Sequence, residues 1–184
     1  MRWLVLTCVL ACAQFPASGS TASQPSSYVG QEARDIKSLS PEEIDAYVAG
    51  KGMGLAKAAE LNGYPGPSHV LALAAQLDLT PAQKLATEAL FATMQKEASR
   101  LGRTLVEEER RLDRLFASKS VDETSLAKAT QEIGTTQARI RAAHLKAHLA
   151  QARILTADQT IRYAQLRGYG TSDVPMDHSL HHPQ

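Results

Sequence analysis

The sequence predicts an all-α protein organised around a long antiparallel helical hairpin with shorter flanking helices. Three observations point there. From Pro81 to about Ala117 no further proline interrupts the chain and Gly102 is the lone glycine, which allows a rod of about 55 Å if continuous. A second uninterrupted stretch runs from Glu123 to about Ile154, and the short connection Ser118 to Val121 makes the two rods antiparallel neighbours. The five residues Leu79-Thr80-Pro81-Ala82-Gln83 return as Leu155-Thr156-Ala157-Asp158-Gln159. Each copy reads as a helix start, with Thr80 and Thr156 at N-cap positions and Gln83 and Gln159 three residues on, a capping box written twice.

The first rod places Leu85, Ala89, Leu90, Met94, Ala98, Leu101, Leu105, Leu112 and Leu115 at steps mostly of three and four, which is one packed stripe. Glu107 to Arg111, Asp113 and Arg114 read as a solvated, self-paired face. On the second rod Leu126, Ile133, Ile140, Ala147 and Ile154 recur every seven residues as a seam, while the alternating seam positions Thr130, Gln137, His144 and Gln151 are polar and need water or polar partners. Lys84 and Thr160 occupy the fourth helical positions, so Leu79 and Leu155 must pack somewhere other than a hydrophobic staple.

Ahead of the hairpin, Ser40-Pro41-Glu42-Glu43 is a strong helix start leading to about Val48. Gly50-Lys51-Gly52-Met53-Gly54 lacks phosphate-loop spacing and reads as a joint to a helix from Leu55 to Leu61, which Asn62-Gly63 can end. After the rigid turn Tyr64-Pro65-Gly66-Pro67, Ser68 can cap a helix to about Leu77. The last helix begins at Ala157 and ends near Arg167-Gly168.

Met1 to Ala22 has Arg2, a short apolar run and then small residues, the pattern of a secretory signal, with cleavage expected after Gly19. A rival reading makes Cys12 a lipidated N-terminus. Both cysteines, Cys8 and Cys12, lie in this segment, so ordinary cleavage leaves no thiol for disulfides or metal. The expected organisation is a signal at 1–19, a flexible leader at 20–39, a helical domain at 40–168 and a disordered His-bearing tail at 169–184. Loss of Arg2 leaves 19 basic residues against 19 acidic ones. No basic surplus remains to suggest a nucleic-acid partner.

The paired L-T-x-x-Q, flanking a helical hairpin behind an export signal, resembles the Spy/CpxP family of periplasmic proteins, which also contains heavy-metal sensor relatives. The resemblance covers about residues 68 to 168. It implies a cradle-shaped homodimer that binds unfolded clients without ATP, or a related sensor of envelope stress or metal. In the metal-sensing relatives a His pair sits on an early helix with help from Glu and Met; here the early helical part carries only His69.

Two functions from different classes follow. The leading expectation is a periplasmic ATP-independent holdase for unfolded or misfolded envelope proteins, needing no cofactor. Its candidate client contacts are Leu101, Leu105, Leu112 and Phe116, each of which also reads as a core position. The alternative is a metal-sensing or metal-binding accessory protein that reports to a sensor in the inner membrane. His144 and His148, four apart on one helical face, could share Zn, Cu or Ni, and His178, His181 and His182 in the tail are further candidates. No G-x-S-x-G, H-E-x-x-H or phosphate loop supports an enzyme.

Overall fold

Capping chemistry sets the register of four of the six α-helices among the described residues. The computed structural model describes residues 26–169, and among these it contains helices and no strand. The elements are α1 (Pro41–Val48), α2 (Lys57–Glu60), α3 (Pro67–Ala72), α4 (Pro81–Ala117), α5 (Glu123–Ile154) and α6 (Ala157–Leu166), preceded by a single 3₁₀ turn, Gln31–Ala33. Ser40, Thr80, Asp122 and Thr156 each close a full capping box, the side chain accepting from the third helical N–H while that residue's side chain accepts from the cap's own N–H. Helices α4 and α5 form the expected antiparallel hairpin, with Thr87 against Gln151 at one end and Arg111 against Glu132 toward the other.

The two L-T-x-x-Q motifs do more than cap. Their glutamine amides meet: Gln83 Nε2 donates to Gln159 Oε1 at 2.8 Å and Gln159 Nε2 donates to Gln83 Oε1 at 3.1 Å. The remaining N–H of Gln83 goes to the Ile154 carbonyl at 2.9 Å, and that of Gln159 to the Leu77 carbonyl at 3.2 Å. Each Oε1 also accepts from its cap residue, Thr80 N or Thr156 N, at 3.0 Å. Both amides therefore satisfy all donors and two acceptor positions, which ties the starts of α4 and α6 to one point. Leu155 and the partly buried Leu79 pack beside it with Val70, Leu77, Leu73 and Tyr163.

A second core cluster joins Leu101 and Leu105 of α4 to Ile133 and Ile140 of α5, with Tyr47, Leu55 and Leu112 against it. A third packs Ile36 and Leu39 on Val106. These last two residues correct the flexible leader over its described part, because Ile36 is fully buried and anchors the chain ahead of α1. Gly102 lets α1 approach α4: a Cβ there would lie 2.0 Å from the Tyr47 carbonyl oxygen.

Other expectations shift for local reasons. Helix α2 is shorter than Leu55 to Leu61, since Met53 and Gly54 both take positive φ and spend the next residues on a turn. Helix α3 starts at Pro67 after Gly66, with no cap from Ser68, and stops at Ala72; Leu77 is nonetheless buried. The charged face of α4 is only partly solvated. Glu109 accepts from Ser38 at 2.8 Å and Glu108 from Thr136 at 3.1 Å, because the leader and α1 cover one side of α4 while α5 covers another. Leu85, assigned to the packed stripe, is 68% exposed. Of the polar seam positions, His144 and Gln151 are buried and Thr130 and Gln137 are exposed.

Candidate metal centre

Helix α5 carries His144 and His148 one turn apart and buries both, at 5% and 9% exposure. Residues at this spacing have Cβ atoms about 5–6 Å apart, so both rings leave the helix on one side. His148 Nδ1 lies 2.8 Å from the Tyr64 carbonyl oxygen, which can only accept. Nδ1 is therefore the donor, and in the neutral ring Nε2 is the nitrogen with the lone pair. An imidazole oriented through Nδ1–H to a carbonyl is the usual arrangement behind a metal-bound Nε2. Gly66 makes room for this ring: a Cβ there would lie 2.9 Å from His148 Cε1 and 3.1 Å from Nε2.

Behind His148 sits Glu60, at the end of α2 and 9% exposed. Its Oε1 accepts from the Tyr163 hydroxyl at 2.5 Å and lies 3.4 Å from Arg167 Nε and 3.5 Å from His69 Nδ1. Its Oε2 accepts from Gly66 N at 3.1 Å and lies 3.7 Å from His148 Nδ1. One buried carboxylate thus gathers α2, the turn before α3, α5 and α6. Burial, with the Glu60 carboxylate beside it, pushes the Tyr163 phenol well above the ordinary tyrosine range, so it stays the donor of that bond.

A cavity of about 510 Å³ opens in front of the two histidines. Met53, Met94 and Phe91 line it with the edge of the Gly50–Gly54 loop, and Lys51, Lys57, His69 and Arg167 add cationic or titratable groups. His144 Nε2 is buried with no hydrogen-bond partner among the described residues. Burial, and the neighbouring His148, hold the His144 imidazole below its ordinary pKa of 6.5, favouring the neutral form that binds metal. Two imidazoles with thioethers nearby suit a soft or borderline cation, Cu, Zn or Ni. Among the described residues no three His, Cys, Asp or Glu side chains are grouped so as to hold an ion alone.

The structure thus brings His144 and His148 to one cavity and adds His69 to it. His178, His181 and His182, like Cys12 and the signal pattern, lie outside the described residues. Leu101 and Leu105 are 2% and 0% exposed in the hairpin core, so as candidate client contacts they are covered; Leu112 is partly buried and Phe116 is 54% exposed. Sequence reasoning missed Glu60, Gly66, Tyr163 and Arg167. A lone charge in Ala58-Ala59-Glu60-Leu61 and a glycine between two prolines were the available signals, and neither names its partner.

No curated protein and no solved structure matches the chain. A family described as heavy-metal resistance, one of the Spy/CpxP-like group, matches residues 50–162, a span that holds the histidine pair, Glu60 and both L-T-x-x-Q motifs. The chain belongs to the heavy-metal resistance family.

Proposed function

We propose that this protein is a non-enzymatic metal-binding accessory protein that takes up a soft or borderline transition-metal ion at His144 and His148. The observation that carries the reading is the pair itself: two buried imidazoles one turn apart, one with an unpartnered nitrogen and the other oriented by a backbone carbonyl. Met53, Met94 and His69 line the same cavity. The family supports a role in heavy-metal resistance. The signal pattern of Met1 to Ala22 supports export to the periplasm, where a sensor in the inner membrane is the partner we would expect and a homodimer the working form. Isothermal titration with Zn(II), Cu(II) and Ni(II) tests the site. One ion per chain is expected, weakened at least about tenfold by His144→Ala or His148→Ala, and retained when His178, His181 and His182 are all changed to Ala. Uptake that follows the tail and ignores the pair would overturn the reading.

A second reading, ATP-independent holding of unfolded envelope proteins, draws on the exposed apolar side chains Leu85, Phe116, Leu149 and Ile161. It needs contacts other than Leu101 and Leu105. Suppression of client aggregation in EDTA, reduced by Phe116→Ser and Leu149→Ser, is its expected signature; no suppression at stoichiometric protein removes it.

A further inference from the structure

The cavity before the histidines is built for more than a bare ion. Its volume of about 510 Å³ falls among pockets that hold small organic molecules, about 300–1,000 Å³. Lys51, Lys57 and Arg167 line it, and Glu60 is the carboxylate that does so. Arg167 Nε lies 3.4 Å from Glu60 Oε1 and offsets that carboxylate, so Lys51 and Lys57 are the cationic excess of the lining. A bare cation gains nothing from such a rim. The two histidines also leave a transition metal short of ligands, since even tetrahedral sites need four.

These facts fit together if the missing ligands are anionic and arrive with the ion. We propose that the protein binds the metal as its complex with a small polycarboxylate. His144 and His148 fill open positions on the ion, while Lys51 and Lys57 meet the chelator's carboxylates. Phe91 and Met94 form the apolar wall against its carbon skeleton. The proposal rests on the metal reading above, and adds the chemical class of the ligand.

The test uses purified protein in which His178, His181 and His182 are changed to Ala, so that tail imidazoles supply no ligands. Zn(II) alone, citrate alone and the one-to-one Zn(II)–citrate complex are titrated at matched free zinc, and native mass spectrometry reads the stoichiometry. The expected species carries one zinc and one citrate per chain. Its affinity falls about tenfold in the Lys51→Gln, Lys57→Gln double variant and falls with added salt, while uptake of free zinc holds or rises as the like charges are removed. Both lysines are exposed, so this variant folds. If uptake follows free zinc alone and citrate merely competes for it, the chelate proposal fails and the metal site stands. If neither zinc nor its complex binds, both fail.

Discussion

An imidazole nitrogen buried without a partner has a cost, and His144 carries one at the head of the cavity. Because burial, reinforced by His148, lowers its folded pKa below 6.5, the unfolded chain takes up a proton that the folded chain refuses as pH falls through that value. Stability should therefore decline as pH falls through about 6.5, and His144→Gln should flatten that decline; urea unfolding midpoints on both sides of that pH measure both. A slope unchanged in His144→Gln would place the titration elsewhere. The leucines of α4 divide by burial rather than by spacing. Leu105→Ala should cost about 2–5 kcal/mol, whereas Phe116→Ala, at a half-exposed position, should stay within about 0.5 kcal/mol. Thermal denaturation separates them, and a severe loss in Phe116→Ala would mean that its surface is covered in solution.

Among elements, the joined glutamines are the fold's most specific device. Gln83→Ala removes the acceptor of the Thr80 N–H, the reciprocal half of the capping box, and also strips Gln159 and the Ile154 carbonyl of partners. Gln83→Ala and Gln159→Ala should each destabilise, and their double variant should lose less than the sum by about 0.5–3 kcal/mol. Additive losses in a double-mutant cycle would show that the two boxes act independently. Gly102→Ala tests the contact of α1 with α4: its Cβ would meet the Tyr47 carbonyl, so a good helix former in mid-helix should destabilise by about 1–3 kcal/mol instead of stabilising. The helices were legible because their starts are written locally, in Ser40, Thr80, Asp122 and Thr156. The pairing of Gln83 with Gln159 was not, since a capping box says nothing about a residue 76 positions away. Burial of Glu108 and Glu109 was equally hidden, because an amphipathic stripe counts one packed side and α4 has two.

At the scale of the whole molecule, the hairpin places the histidines and the short N-terminal helices close the cavity over them. The sequence marked His144 and His148 by spacing alone. What makes them a site comes from elsewhere in the chain: the Tyr64 carbonyl that orients His148, Gly66 that makes room for it, and Glu60 that holds α2 to α5 and α6. No local pattern encodes such convergence, since Glu60 and Tyr163 stand 103 residues apart. The same junction gives the α6 end, through Arg167, a direct connection to the cavity wall. The most direct test of the proposed metal centre is anomalous diffraction from crystals grown with ZnCl₂. The proposal predicts a zinc peak within bonding distance of His144 and His148, about 2.0–2.1 Å from a ring nitrogen of each. Zinc found only at surface residues, with this cavity holding water, would contradict it.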